Sequence, residues 1–261
     1  MNNNATELIH KAVKARYLRL FLDYDGTLAD FAPSPDTLLP DLELIALVKR
    51  LVNTKGILPA IISGRKLEHI SKLLPVKGLL LGGTYGIEIK LPDGQYWSAM
   101  DFQEVRPIIE HILPLWKKLI ENKNGFYLED KGWSLALHGG FANETDAKDV
   151  LDAAHKIIEE LKPDSRFRLY DGELFLEYAP SLASKTIAAQ WVIDNFNPKG
   201  ALNIFIGDDE KDEEAFSVVK KSGGFSVKVS ANSCETNADL ILKNPIETRN
   251  WLQELLLVRG T

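Results

Sequence analysis

Short apolar runs alternate with amphipathic stretches along most of this chain, and the runs end at polar or glycine residues. The runs at 17–22, 57–62 and 202–206 have the length and composition of buried strands. Residues 41–52, between the first two runs, carry apolar side chains at helical spacing. Strands that alternate with helices favour a mostly parallel sheet with helices on both faces, and right-handed crossovers make it doubly wound. The sequence therefore predicts an α/β core with a Rossmann-like sheet.

The middle of the chain follows a different pattern. Two short alternating strands at 125–129 and 133–138 enclose an Asp-Lys-Gly turn, which predicts a hairpin. The remaining predicted elements are helices at 104–122 and 145–161 and a second hairpin formed by 166–170 and 173–178 around Asp171-Gly172. A hairpin, a helix and a hairpin in this order predict an α+β unit inserted into the parallel-sheet pattern.

Composition narrows the class of protein. The chain has 261 residues, which suits one core domain with a smaller insertion. Its net charge of −6 argues against non-specific nucleic-acid binding. No apolar run reaches the ~20 residues that cross a bilayer. Cys234 is the single cysteine, which excludes an internal disulfide and favours a reducing compartment. We therefore expect a soluble cytoplasmic protein with no nucleic-acid or membrane partner.

Carboxylates stand at the ends of two predicted strands. Asp23 and Asp25 follow the first strand, and Asp208 and Asp209 follow a later one. In open parallel sheets, ligands bind beyond the carboxyl ends of the strands. Asp209 also suits a helix N-cap with Asp212 as its capping partner, whereas Asp208 has no such structural explanation. Facing carboxylates repel each other unless a cation lies between them, and an all-oxygen donor set favours Mg²⁺.

A hydroxyl and an ammonium group follow other predicted elements. Ser63 ends the strand at 57–62 and is predicted to cap a helix at 65–74. A hydroxyl and free N–H groups at a helix start also bind phosphate. Lys185 falls in the first turn of a helix predicted at 184–195, where a cation opposes the helix dipole. A lysine in that place can clamp a phosphate group.

The order of these residues resembles the four motifs of the haloacid-dehalogenase phosphatase superfamily. In chain order, the motifs stand at 23–27 (Asp-x-Asp-Gly-Thr), Ser63, Lys185 and the acidic pair Asp208–Asp209. The resemblance implies a haloacid-dehalogenase core formed by residues 1–104 and 182–261. It also implies an inserted α+β cap domain of the C2 type, residues 105–181, which closes over the site and sets substrate specificity.

Finer details resemble the trehalose-6-phosphate phosphatase family. The most specific match is the acidic segment at 207–216, with further matches at 62–65, at 33–36 and in the insertion. This resemblance implies Mg²⁺-dependent hydrolysis of trehalose 6-phosphate to trehalose and phosphate, as part of trehalose biosynthesis. It implies a small-molecule sugar phosphate as the partner and functional coupling to a glycosyl-transferring synthase.

The resemblance also implies a role for each site residue. Asp23 attacks phosphorus and forms an aspartyl-phosphate, while Asp25 acts first as general acid and then as general base. The implied phosphate-binding residues are Ser63, Gly64 and Lys185. The implied Mg²⁺ ligands are Asp23, Asp208 and the backbone carbonyl of Asp25. Asp209 and Asp212 are implied to orient these ligands without binding the metal themselves. The implied sugar-binding residues of the cap are Glu129, Lys131 and Glu177.

Three positions depart from the family pattern. The family usually has Asn/Ser-His-Gly where this chain has Thr84-Tyr85-Gly86. It usually has His-x-Arg where this chain has His138-Gly139-Gly140, and threonine where this chain has Lys211. In the family, the regions that hold Tyr85 and Gly140 face the substrate, so these departures leave the identity of the sugar open.

Other functions are compatible with the same core. One is a phosphatase for another glycosyl phosphate, such as glucosylglycerol phosphate or sucrose phosphate. A second is a phosphotransferase or mutase that passes the phosphoryl group from Asp23 to another sugar. A third is a non-catalytic regulator that binds sugar phosphates, which the intact acidic and lysine motifs disfavour.

Several of these residues also have a purely structural interpretation. Glu129 and Glu177 are explained equally as strand residues that face solvent. A histidine at a strand end, such as His138, is more often packed or exposed than functional. Core packing is the favoured role of three tryptophans, Trp97, Trp133 and Trp191.

Overall fold

The computed structural model describes the chain in five stretches, 3–31, 38–161, 164–172, 174–232 and 234–260. The segment at 33–36, which carries one of the family matches, lies outside them. The chain divides into two compact units, Met1–Trp97 with Ser184–Thr261 and Ser98–Ala183. Residues 98–104 and 182–183, predicted as core, thus belong to the second unit, whose first helix begins at Phe102.

The first unit is built on a sheet that has eight strands within the described residues. In spatial order these are β12 (Leu240–Leu242), β11 (Phe225–Val229), β10 (Leu202–Gly207), β1 (Leu18–Leu22), β2 (Ile57–Ile62), β3 (Leu80–Gly83), β4 (Glu88–Lys90) and β5 (Tyr96–Ser98). From β12 to β3 the strands run parallel, and β4 is antiparallel to β3. The predicted parallel sheet is confirmed, and its extension by the antiparallel strand β4 and by β5 is an addition to it.

Helices cover both faces of this sheet. Side chains alternate along β1, so that Leu20 packs into the core on one face and Phe21 into the core on the other. The helices on the Leu20 face are α1 (Asn3–Lys14), α2 (Leu42–Asn53), α3 (Leu67–Leu73) and α8 (Pro245–Arg259). Those on the Phe21 face are α6 (Lys185–Phe196) and α7 (Glu210–Lys221). Among the described helices, none is long and apolar enough to cross a membrane.

The second unit is the predicted α+β insertion. Its antiparallel sheet has the spatial order β6 (Tyr127–Asp130), β7 (Leu135–His138), β9 (Phe175–Pro180) and β8 (Phe167–Gly172). Its helices are α4 (Phe102–Leu119) and α5 (Glu144–Glu160). The hairpin–helix–hairpin order is confirmed, but β8 continues beyond its predicted end at Tyr170. The reason is that ladder pairing persists to Gly172, which lies opposite Phe175.

Candidate active site

Two carboxylates meet at the tips of neighbouring strands. β1 and β10 pair in parallel with Leu22 opposite Ile206, so Asp23 and Asp208 leave the sheet at the same edge. The backbone N–H of Asp23 donates to the carbonyl oxygen of Ile206 at 3.0 Å. Carboxylate oxygens of Asp23, Asp208 and Asp212 all lie within 4.8 Å of one another. The two acidic strand ends therefore form one cluster, as their sequence positions predict.

Two glycines make room for this cluster. Gly26 has φ +72°, and a Cβ there would lie 2.2 Å from Oδ2 of Asp208. A Cβ on Gly207 would lie 2.1 Å from Cγ of Asp212. Neither distance is compatible with a side chain, so both glycines are required by the close approach of a carboxylate.

Lys185 supplies the ammonium group of the cluster. It is the first residue of α6 and is 2% exposed. Its Nζ lies 2.8 Å from Oδ1 of Asp212 and 3.0 Å from Oδ1 of Asp23. Burial lowers the pKa of Lys185, but the charges of Asp212 and Asp23 outweigh burial and raise it well above the usual value. The lysine is thus held as a cation at the predicted helix start.

Asp212 organises the loop that follows β10. Its carboxylate accepts hydrogen bonds from the backbone N–H groups of Asp208 (3.0 Å) and Asp209 (3.2 Å). The Asp209 carboxylate in turn accepts from the N–H of Asp212 at 2.8 Å, which completes a capping box at the start of α7. The predicted capping pair is confirmed. With Lys185 as a third donor to Asp212, this carboxylate is already well supplied with hydrogen bonds.

Negative charge exceeds positive charge in this cluster. Burial raises the pKa of Asp23 well above its usual range, and Lys185 counteracts this only in part. Burial and then a neighbouring carboxylate raise the pKa of Asp208 to about 6. Burial also acts to raise the pKa of Asp209, but Lys185, the α7 cap and Lys211 bring it to about 2. A hard divalent cation fits such an all-oxygen donor set with surplus negative charge.

The second acid of the first motif is held by an arginine. Nε of Arg65 donates to Oδ2 of Asp25 at 2.7 Å, and Nη2 donates to Oδ1 at 2.6 Å. Arg65 is 9% exposed, so this bidentate pair is largely shielded from water. Nearby, the Thr27 hydroxyl donates to Oδ1 of Asp208 at 3.1 Å. Sequence reasoning missed Arg65, although its place directly after Ser63-Gly64 is a usable signal.

Ser63 lies at the same edge of the sheet but does not cap a helix. The helix predicted to begin at Arg65 begins at Leu67, and its N-cap residue Lys66 makes no side-chain capping bond. Instead the fully buried Ser63 hydroxyl accepts from the N–H of Arg65 at 3.1 Å, in a local serine turn. Since β1 and β2 are parallel neighbours, Ser63 and Asp23 leave adjacent strands side by side.

The second unit contains a separate buried polar cluster. Glu129 is 8% exposed, Lys131 7% and Glu177 0%, so the interpretation of the two glutamates as solvent-facing is wrong. Nζ of Lys131 lies 3.1 Å from Oε1 of Glu177, and the Ser134 hydroxyl donates to the same oxygen at 2.6 Å. Burial acts to raise the pKa of Glu129, but His138 and Lys131 outweigh it and lower the pKa. His138 therefore belongs to this cluster, with Nε2 at 3.2 Å from Oε2 of Glu129.

The three tryptophans contact other aromatic rings. Trp133 is 5% exposed and meets Phe102 edge to face, with ring centroids 4.9 Å apart. Trp97 and Trp191 stack with centroids 3.9 Å apart. These contacts agree with the packing role predicted for them.

A match to a known family identifies the group of proteins to which this chain belongs. The family model described as trehalose-phosphatase matches residues 21–245, which span both units. The chain belongs to the trehalose-phosphatase family. It is therefore a phosphoric monoester hydrolase.

One curated relative is similar in sequence, and two solved structures are similar in fold. The chain is 29% identical over 270 residues to probable trehalose-phosphate phosphatase E of Arabidopsis thaliana, covering 97% of this chain and 74% of that protein. The C-terminal domain of C. albicans trehalose-6-phosphate phosphatase has a TM-score of 0.83 at 18% identity, over 97% of each chain. A haloacid-dehalogenase-like hydrolase from Bacteroides thetaiotaomicron has a TM-score of 0.64 at 15% identity, over 91% of this chain and 99% of that one. The fold is a haloacid-dehalogenase core with an inserted α+β unit.

Two departures from the family pattern have visible structural settings. At Gly140, where the family usually has arginine, an added Cβ meets nothing within 4 Å. At Tyr85, where it usually has histidine, the backbone is left-handed with φ 60°. Gly140 is exposed, so the empty space around it is solvent, whereas Tyr85 places an aromatic ring beside Gly64 at the edge of the core site.

Proposed function

We propose that this chain hydrolyses trehalose 6-phosphate to trehalose and inorganic phosphate, within trehalose biosynthesis. The observation that carries the proposal is the pairing of Asp23 with Lys185 beside Asp208, at adjacent strand tips of a trehalose-phosphatase chain. Names of the relatives support the choice of substrate, and the buried polar cluster of the second unit supports a polyhydroxylated leaving group.

In the first step, a carboxylate oxygen of Asp23 attacks phosphorus and the bond from phosphorus to the sugar oxygen breaks. An aspartyl-phosphate forms, and the sugar oxygen takes a proton from Asp25. Arg65 occupies both oxygens of Asp25, so the pair has to open for that proton transfer. Lys185, together with the hydroxyl of Ser63 and the N–H of Gly64, holds the phosphoryl oxygens while charge shifts onto them.

In the second step, water attacks the phosphorus of the aspartyl-phosphate. Asp25 now accepts a proton from that water, the bond to Asp23 breaks, and inorganic phosphate leaves. The proton that Asp25 has accepted from water restores it as the acid of the first step, which closes the cycle. Water is the acceptor in this scheme, and a phosphotransferase would place a second sugar in that role.

The donor set supports Mg²⁺ as the metal. Asp23, Asp208 and the backbone carbonyl of Asp25 would hold it, while Asp209 and Asp212 orient the loop. Asp212 suits this supporting role because its carboxylate already accepts from Lys185 and two backbone N–H groups. Once bound, Mg²⁺ neutralises charge on the phosphoryl oxygens.

Thermal unfolding tests the metal site. At a hundredfold excess over Kd, Mg²⁺ should stabilise the protein by about 2.7 kcal/mol. The rise in Tm should be large above the Asp208 pKa of about 6 and small well below it, because below that pKa a proton occupies the ligand.

Without metal, the pH dependence of stability has the opposite sign. A pKa raised on folding makes ionisation costly, so unfolding free energy falls as pH rises from the ordinary aspartate value toward about 6.

The control for this experiment is Asp208→Asn, which should lose the Mg²⁺-dependent rise in Tm at every pH. An equal rise in Tm on both sides of the Asp208 pKa would refute binding through this carboxylate. No rise in the wild-type protein would refute the site as a whole.

The second unit supplies the contacts that we assign to the sugar. Glu129, Lys131 and Glu177 combine charge with burial, and carboxylates and ammonium groups pair well with sugar hydroxyls. Replacing Glu177 by Gln keeps the volume and removes the charge. Because a glutamine amide still hydrogen-bonds a hydroxyl, we expect kcat/KM for trehalose 6-phosphate to fall by about 10-fold, the ~1.4 kcal/mol by which a charged hydrogen bond exceeds a neutral one. Hydrolysis of p-nitrophenyl phosphate should be unchanged, because this ester has no sugar.

Ser134→Ala is the matched control, since it removes the 2.6 Å donor to Glu177 and keeps the carboxylate. It should change the ratio of the two substrates far less than Glu177→Gln does. Equal losses on both substrates in Glu177→Gln would mean that Glu177 serves the fold and not the sugar.

The chemistry of the substrate implies a partner reaction. Trehalose 6-phosphate joins a glycosyl unit to a sugar phosphate, so a glycosyl-transferring synthase has to supply it. We place this chain directly after such a synthase.

A panel of sugar phosphates tests the proposed function. Phosphate release should be fastest with trehalose 6-phosphate, compared with sucrose phosphate, glucosylglycerol phosphate and glucose 6-phosphate. The departure at Gly140, where the family usually has arginine, makes the other glycosyl phosphates the sharpest competitors. A higher kcat/KM with one of these phosphates would make it the substrate instead of trehalose 6-phosphate, and the proposed mechanism would still apply.

A further inference from the structure

The turn after β3 holds two side-chain-bearing residues in an unfavourable backbone conformation. Thr84 has φ 44° and Tyr85 has φ 60°, both in the left-handed region. Only one other described non-glycine residue, Asn122, shares that region. The turn is tied to the end of β2, because the N–H of Thr84 donates to the carbonyl of Arg65 and that of Tyr85 to the carbonyl of Ser63. Backbone strain that is held in this way is typical of functional sites.

This turn brings the Tyr85 ring against the phosphate segment. A Cβ added to Gly64 would lie 2.8 Å from the ring, so the glycine gives the ring its place. Tyr85 is 6% exposed. The ring therefore has a fixed position beside Ser63-Gly64, the pair we assign to the phosphate.

A lysine lies on that ring. Nζ of Lys211 is 3.8 Å from the centroid of the Tyr85 ring, a close cation–π contact. Lys211 is the second residue of α7, where a positive charge opposes the helix dipole. Its neighbours in that turn are Asp209 and Asp212, whose carboxylates lie 3.7 and 2.8 Å from Nζ of Lys185. The ring thus retains a second ammonium group in the turn that carries two carboxylate partners of the first.

The charge balance of the site suggests what the ammonium group of Lys211 does. A phosphoryl group brings negative charge to a cluster whose carboxylates already outnumber Lys185. Arg65 does not relieve this charge while its Nε and Nη2 groups donate to Asp25. A further fixed cation lowers the cost of admitting an anion.

We infer that Lys211 is a further phosphate-binding residue and that Tyr85 is the positioning residue that holds it. The inference rests on the proposed phosphatase function, because it takes the phosphoryl group to lie at Asp23. Both residues stand where the sequence departs from the pattern of its family.

Inorganic phosphate is the probe, used with the Mg²⁺-loaded full chain. Its Kd is measured by ³¹P NMR titration, and its Ki against p-nitrophenyl phosphate hydrolysis. Lys211→Ala should raise both by about tenfold, as expected for one charge-assisted hydrogen bond at a partly exposed site. In p-nitrophenyl phosphate hydrolysis, KM should rise more than kcat falls. Lys211→Arg, which keeps the cation–π contact, should stay near wild type.

The role of Tyr85 is tested by its coupling to Lys211. Tyr85→Leu should weaken phosphate binding as Lys211→Ala does, and Tyr85→Phe, which keeps the ring, should not. The double variant Tyr85→Leu/Lys211→Ala should be no weaker than either single variant. Lys221→Ala is the matched control, since it removes an exposed ammonium at the other end of α7 and should change nothing.

Wild-type phosphate affinity in Lys211→Ala would overturn the inference. Additive effects of the two single variants would overturn the positioning role of Tyr85. Neither result depends on the sugar, so a chain that prefers another glycosyl phosphate would still test Lys211. Since ³¹P binding needs no turnover, failure of the catalytic scheme and failure of this inference are distinguishable.

Discussion

Asp23→Asn will reduce kcat for phosphate release by about 10⁴-fold or more, because an amide cannot replace the carboxylate nucleophile. The substitution keeps the volume of a side chain that is 5% exposed. The fold should persist, since Lys185 keeps its 2.8 Å contact with Asp212. Without metal, Tm should not fall, because the change removes one of several carboxylates that repel one another. Turnover and thermal unfolding are measured on the same preparation.

The matched control is Asp30→Asn, which makes the same change at an exposed aspartate near the first motif. It should leave kcat unaltered. Turnover above about 1% of wild type in Asp23→Asn would exclude an aspartyl-phosphate at this residue, given the size of nucleophile knock-outs.

Lys185→Met will impair both stability and catalysis. It leaves Asp23 and Asp212 without their shared ammonium group, and breaking a buried ion pair costs about 3–5 kcal/mol. The loss of a cation on the phosphoryl oxygens should reduce kcat by about 10²- to 10³-fold. Denaturant unfolding and steady-state kinetics measure the two effects.

The double variant Asp23→Asn/Lys185→Met separates them. Removing Asp23 together with its cation should recover part of the unfolding free energy, because Asp212 still lacks its ammonium partner, and no activity should return. If the double variant is as unstable as the sum of the two single variants, Asp23 and Lys185 do not share a pair. That result would remove the electrostatic basis of the site.

Much of the core site was predictable because its residues follow local rules. Asp23 and Asp208 end buried strands, and adjacent parallel strands bring their carboxyl ends together whatever the side chains are. Lys185 was conspicuous as a cation at a helix start. The capping box of Asp209 and Asp212 needs only their spacing of three residues.

The features that escaped prediction depend on residues distant in sequence. Arg65 pairs with Asp25 across 40 positions, and no local pattern specifies such a pair. The Ser63 turn competes with helix capping, and which one forms depends on the neighbouring β3 turn. Tyr85 adopts a left-handed backbone conformation that tyrosine rarely takes, so backbone propensities would not predict a turn of this kind there.

The burial of the polar cluster in the second unit could not be predicted from the sequence either. Side chains alternate between the two faces of the sheet along β6 and β9, and Glu129 and Glu177 lie on the same face. Charged residues of an antiparallel strand are ordinarily predicted to lie on the face exposed to solvent. Their burial depends on Lys131, which pairs with Glu177 from the turn of the first hairpin. Only the resemblance to a family singled them out before the structure did.

The second unit is one uninterrupted stretch of chain, Ser98–Ala183. The residues proposed for chemistry, such as Asp23 and Lys185, are encoded outside it, and those proposed for the sugar, such as Glu177, are encoded inside it. Two recombination points in a gene are therefore enough to exchange the proposed sugar-binding residues while the catalytic machinery is inherited unaltered. Such a layout lets natural selection, or an engineer, diversify substrate range by moving a single cassette.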